Sequence, residues 1–184
     1  MQEDNEILAE LGLRFASLQG KMRIQRDRRI FVEVPAGDFG AVFAHLYGPM
    51  KFMMLTAITG MDQGANLAAM YHLARASGVV LSLSVAVPRE RPVLQTVTKF
   101  FPAAECYERE LIDLLGMQVE GLPPGPRYPL PDGWPAGQYP LRKDWNAKML
   151  EGVENIGAIT EPYALSREAP ASALPPSEKE LKNA

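Results

Sequence analysis

The chain has one cysteine, Cys106, and two histidines, His45 and His72, among 184 residues. A single thiol excludes an internal disulfide framework and fits a reducing compartment. It also excludes an iron–sulfur cluster ligated by cysteines of this chain. Neither histidine has a Cys, Asp or Glu neighbour at a metal-ligand spacing. Their ordinary reading is as surface or core residues. There is no basic excess: 19 Lys and Arg stand against 22 Asp and Glu, for a net charge of −3 and a pI near 5.5. That balance argues against a general nucleic-acid binder. No apolar run reaches the roughly 18–20 residues a membrane span needs. The longest, Val79 to Val87, is strand-sized and broken by Ser82 and Ser84. The first residues, Met1 to Glu6, are acidic, the reverse of a secretory signal. The expectation is a cytoplasmic protein, peripheral on the inner face of the cell membrane only where a partner holds it there. Dinucleotide and phosphate loops and the common hydrolase motifs are also missing.

What is present is a globular composition, 47% hydrophobic and 22% charged, with length enough for one ordinary core. Residues 3–19 carry Ile7, Leu8, Leu11, Phe15 and Leu18 at helical spacing. Alternation over 21–34 predicts a hairpin turning near Asp27-Arg28. Asp38 can cap a short helix whose face is Phe39, Val42, Phe43, Leu46 and Tyr47, and Gly48-Pro49 ends it. Strands are predicted at 52–59, 67–74 and 79–87, with Gly60 to Gly64 as the turn between the first two. The small residues Ser82, Ser84 and Ala86 on one face of the third suggest another layer packed there. A helix is predicted for 93–101. The fold class is α+β: a mostly antiparallel sheet covered by helices on one face, followed by an extended proline-rich arm and tail. The organisation is an α+β domain over 1–119, a proline- and aromatic-rich docking arm over 120–146 and an extended tail over 147–184.

The run Phe101 to Gly116 predicts a further capped helix. At about 100° per residue, Glu108 falls inside the arc formed by Ala104, Leu111, Ile112 and Leu115. Arg109, Asp113, Cys106 and Glu110 lie opposite. Glu105–Arg109 and Arg109–Asp113 are both i, i+4 pairs. A carboxylate on an apolar face needs a partner. Three readings stay open for Glu108: it reaches the edge of the face or caps neighbouring backbone, it pairs with Arg142 or Lys143 or another subunit, or it stays protonated.

Residues 121–145 hold seven of the sixteen prolines and both tryptophans. Such a segment is neither helix nor central strand. Proline stiffens it before any contact, so less entropy is lost on docking. Tyr128, Trp134, Tyr139 and Trp145 are residue types favoured as interface anchors. The segment is either a rigid loop folded over its own domain or an arm laid across a partner. A proline-motif signalling ligand is a weaker third reading.

The motif Glu108-Arg109-Glu110-x-x-Asp113-Leu-Leu-Gly116, preceded by Phe101-Pro-Ala-Ala104 and followed by Pro140-Leu-Arg-Lys-Asp144, resembles the 30-kDa subunit family of respiratory complex I. That family includes the equivalent subunit of membrane-bound group 4 nickel–iron (NiFe) hydrogenases. The resemblance implies a non-catalytic subunit without its own cofactor or metal. The NiFe centre and iron–sulfur clusters would lie in partner subunits, a large 49-kDa-like subunit and a small iron–sulfur subunit. It makes Glu108, Arg109, Glu110, Asp113, Arg127, Arg142, Lys143 and Asp144 candidate interface or structural residues. Complex I members carry Gly-His-Pro-Asp after the helix, where this chain has Gly121-Leu-Pro-Pro124 and the single arginine Arg127. The form Trp134-Pro-x-Gly-x-Tyr-Pro-Leu-Arg-Lys-Asp-Trp145 looks closer to the hydrogenase branch. The alternatives are the NADH:quinone enzyme's 30-kDa subunit, and a stand-alone small enzyme or binding module.

Overall fold

The computed structural model describes residues 1–153. Helix α1 (Gln2–Arg14) buries Ile7 and Leu11, and a 3-10 turn (Ala16–Leu18) follows it. The two are separated because Phe15 is extended, so the helix predicted over 3–19 is two pieces. Strands β1 (Met22–Arg26) and β2 (Arg29–Val34) form the expected hairpin, with Arg28 in the left-handed region at φ 59°. Helix α2 (Phe39–Tyr47) buries Phe39, Val42, Phe43 and Leu46. Asp38 makes no side-chain cap, because a 3-10 turn (Ala36–Asp38) already leads into the helix.

Strands β3 (Met54–Asp62), β4 (Asn66–Ala74) and β5 (Val80–Pro88) complete a five-stranded sheet in the order β1-β2-β5-β4-β3. Within this sheet only the β2–β5 pairing is parallel. Gly60, predicted as turn, belongs to β3, and the strand runs on to Asp62. Alternation sorts the sheet's two faces. Ile30, Val32, Leu81, Leu83, Val85, Tyr71 and Ile58 are buried with the helices in one core. Phe39, Phe43 and Tyr71 pack there at tilted and edge-on angles, with ring centroids 5.0 Å apart for Phe39–Tyr71 and 5.6 Å for Phe43–Tyr71. On the other face the expected second layer is replaced by a side chain. His72 bonds Ser82 Oγ at 2.8 Å and covers it, while Thr59 and Ala86 stay exposed.

The helix predicted at 93–101 is a correction. Val93–Gln95 is strand β6, paired in parallel with β7 (Gln118–Glu120). Its partner lies beyond the intervening helix α3 (Ala104–Leu115), so no local pattern announces it. α3 starts without a side-chain cap and ends at Gly116, whose φ of 69° suits glycine. Gly116 N donates to Ile112 O, the 5→1 bond of a left-handed helix end, and Met117 N donates to Leu111 O. α3 packs on β3 at Gly60. A Cβ there would overlap Leu115 Cδ1 and sit 2.7 Å from Leu111 Cδ2. The missing side chain lets helix and strand approach closely. Of the predicted tail, Ala147–Leu150 forms a 3-10 turn, and 154–184 lies outside the described residues.

Candidate functional site

α3 and the residues after it form one assembly around three buried carboxylates, Glu108, Asp113 and Asp62. Glu108 is fully buried and faces the β6 end. Its Oε1 accepts from Val97 N at 2.7 Å, and its Oε2 accepts from Thr96 Oγ1 at 2.6 Å. Glu108 thus caps neighbouring backbone and does not pair with Arg142 or Lys143. Burial raises its pKa, and the two donors partly offset that. Tyr71 Oη, also buried, has no hydrogen-bond partner among the described residues. Its pKa is raised by burial and secondarily by the negative charge of Glu108.

On the other side of α3, Arg109 donates to Glu105 Oε1 and to Pro123 O, both from Nη2, at 2.7 and 2.8 Å. The predicted Arg109–Asp113 pair is not formed. Asp113 is buried and receives Arg127 Nε at 3.1 Å and Leu130 N at 3.3 Å. Tertiary contact with the arm displaces the local i, i+4 option. Arg127 also donates to Trp134 O. Glu110 is half-buried and Tyr128 is exposed.

The Pro140–Asp144 segment closes the end of the same helix. Leu141 N donates to Leu114 O at 3.0 Å, and Arg142 Nε donates to Leu115 O at 2.7 Å. These donors satisfy carbonyls that a helix end leaves free. The Arg142 guanidinium lies 4.4 Å from the Tyr139 ring centroid, a cation–π contact. Trp134 Nε1 donates to Gln138 O and Trp145 Nε1 to Gln138 Oε1, and the two indoles lie 6.1 Å apart.

Asp62 at the end of β3 ties this segment to the sheet. It accepts from Gly64 N, Arg89 Nη1 and Lys143 N at 2.8, 2.6 and 2.9 Å. Arg89 then reaches Asp144 as well. The donors hold the Asp62 carboxyl far below the ordinary range, Lys143 N first, then Gly64 N, then Arg89. Sequence reasoning misses Asp62, Arg89 and Thr96. The one available signal is Asp-x-Gly at 62–64, which points to turn chemistry alone and does form that bond to Gly64 N.

Of the alternatives for the arm, the fold-back over its own domain is therefore present. Arg109, Asp113, Arg127, Arg142 and Asp144 use their charged groups within the chain. Tyr128 and Leu141 of the arm, with Met149 and Val153 just after it, are four of the eight exposed large hydrophobic residues among those described. His45 bonds Glu10 on the other side of the core, and His72 lies on the open sheet face, so the two histidines form no joint site. No group of three or more His, Cys, Asp or Glu among the described residues could hold a metal ion. No helix among them is long and apolar enough to cross a membrane.

The chain has relatives among known proteins in both sequence and structure. The chain is 41% identical over 91 residues to the membrane-bound hydrogenase subunit beta of Pyrococcus furiosus, covering 50% of this chain and 51% of that protein. It thus spans about half the length of that relative. It is 32% identical over 153 residues to a subunit of the F(420)H(2) dehydrogenase of Methanosarcina mazei, covering 82% of this chain and 96% of that one. A chain in the membrane-bound sulfane sulfur reductase, an archaeal respiratory membrane complex, superposes with a TM-score of 0.70 at 25% identity, over 88% of this chain and 97% of that chain. Each relative is a component of a larger redox complex. The family model for the respiratory-chain NADH dehydrogenase 30 Kd subunit matches residues 32–150, so the chain belongs to that family of respiratory-complex subunits.

Proposed function

We propose that the chain is a non-catalytic subunit of a membrane-bound, energy-converting NiFe-hydrogenase type of complex. In this reading it holds no redox group of its own. It docks on the large subunit that carries the NiFe centre, beside a small iron–sulfur subunit. The complex passes electrons from a ferredoxin-type donor to protons and couples this to ion translocation. Membrane attachment comes through the partners, on the cytoplasmic face.

The observation that carries the reading is the arm. Two buried carboxylates and the end of α3 fix its inner side, while Tyr128 and Leu141 within it, and Met149 and Val153 just after it, stay exposed. A surface immobilised before contact loses little entropy on docking. Exposed apolar groups on such a surface are what a partner would cover. The hydrogenase branch is favoured by the 41% identity to the Pyrococcus subunit. The NADH:quinone branch is the alternative.

Affinity purification of the tagged full chain from its native membranes tests this. A co-purified large subunit with cysteine pairs near both termini, and hydrogen evolution from a reduced low-potential donor, is the expected result. A large subunit lacking those cysteines, with quinone reduction instead, would move the chain to the other branch. Recovery of the chain without any large subunit would sink both.

A further inference from the structure

The arm lies against α3 and β3, at one edge of the sheet. The opposite edge is β1, and its hairpin with β2 has a different character. Lys21, Arg23, Arg26, Arg28 and Arg29 fall within nine residues of a chain whose net charge is negative. The first four are exposed. None of the five forms an ion pair among the described residues, and the one acid between them, Asp27, is taken by the terminal amine.

Two features of the hairpin are costly as they stand. Arg26 and Arg29 are direct cross-strand partners, and like charges placed opposite each other destabilise a sheet. Arg28 sits at φ 59°, a conformation that glycine or asparagine takes at lower cost. On the open face, Arg23 and Arg29 flank the Phe31 ring at 4.6 and 5.6 Å from its centroid. An anionic ligand would relieve the repulsion and engage these groups together.

The strand edge specifies the form of that ligand. Glu33 N donates to Lys21 O, which makes Lys21 and Glu33 a hydrogen-bonded pair. Such pairs alternate along an antiparallel ladder, so the backbone groups of Met22 and Ile24 point away from β2, toward the free edge. Cations on a terminal strand repel a second copy of the same strand. The same cations favour an acidic one.

We infer that the β1 edge and its arginine cluster form a second docking surface, which takes an acidic, extended segment of a neighbouring protein subunit as a sixth strand. Main-chain bonds to Met22 and Ile24 supply the pairing, and Arg23, Arg26 and Arg29 select the charge. A lipid surface would use the charge and leave the strand edge unpaired. This surface and the arm lie at opposite sheet edges, so the chain would bridge two neighbours.

The test uses the full chain and four probes: a short peptide alternating Glu with Val and Thr, the same peptide N-methylated at alternate residues, its Gln counterpart, and phosphatidylglycerol vesicles. The acidic peptide should bind and slow amide exchange at Met22 and Ile24. N-methylation, the Gln change, and the charge reversal Arg23→Glu with Arg26→Glu should each weaken binding by about tenfold or more. The reversed variant should melt no lower than wild type, because Arg26→Glu turns a like-charge cross-strand pair into an opposite-charge one. Absence of binding, equal binding of the N-methylated peptide, indifference to charge reversal, or preference for vesicles would each overturn the inference.

Discussion

Asp62 on β3 and Lys143 in the arm are joined directly: Lys143 N donates to Asp62 Oδ2 at 2.9 Å across 81 residues of chain. The same carboxylate holds Arg89, which reaches Asp144. One buried side chain therefore controls how the Pro-Leu-Arg-Lys-Asp segment sits. Asp62→Ala should cost about 2–4 kcal/mol, because it leaves Arg89 and two amides short of an acceptor. It should also open residues 121–145 to protease. Its folded-state pKa lies below the ordinary 3.8. The stabilisation is thus present above that value and is lost as pH falls through the folded pKa. Urea melts and limited proteolysis measure both effects. An unchanged midpoint with an equally resistant arm would remove Asp62 from this role.

Glu108 titrates in the opposite sense. Burial raises its folded pKa above the ordinary 4.5. The folded state then binds the proton more tightly than the unfolded one. This contribution is full below pH 4.5 and declines as pH rises toward the folded pKa. Glu108→Gln keeps an acceptor for Val97 N and cannot ionise. The variant should gain stability relative to wild type as pH rises from about 4.5 to about 7. A stability difference independent of pH across that window would mean that Glu108 is not perturbed. Glu108→Ala, by contrast, should lose about 2–4 kcal/mol through the orphaned Val97 N and Thr96 hydroxyl.

Gly60 sets the distance between α3 and β3. Gly60→Val places atoms where Leu111 and Leu115 now lie. Overpacking should cost about 1–3 kcal/mol. Shortening the obstructing side chain, as in Gly60→Val with Leu115→Ala, should cost less than the two single changes added together. Additive losses in denaturant titrations would show that the two residues do not share the space.

The contrast between α3 and β6 shows what the sequence could carry. α3 is legible because its signals are local. Apolar residues recur at helical spacing, Gly116 ends the helix, and the wheel places Glu108 on the buried arc. β6 is not, because Val93–Gln95 becomes a strand only by pairing with Gln118–Glu120, beyond an entire helix. The arm shows the same limit. Its prolines announce stiffness, but the contacts of Asp113 with Arg127 and of Asp62 with Lys143 are tertiary choices among several arginines and carboxylates. Nothing in their spacing ranks those choices.

Leu141 separates folding from docking. Its backbone N–H closes the end of α3, while its side chain is 54% exposed. Leu141→Glu keeps the backbone bond and replaces an exposed apolar side chain of the arm with a charge. A substitution at such a surface position changes stability by about 0.5 kcal/mol or less. An interface core that must bury the new carboxylate without a partner is penalised far more. The variant should therefore melt like wild type in isolation, yet retain little of the large subunit in affinity purification from native membranes. Met149→Glu, at an exposed position just after the arm, should act in the same direction. Full recovery of the large subunit with both variants would place the docking surface elsewhere on the chain.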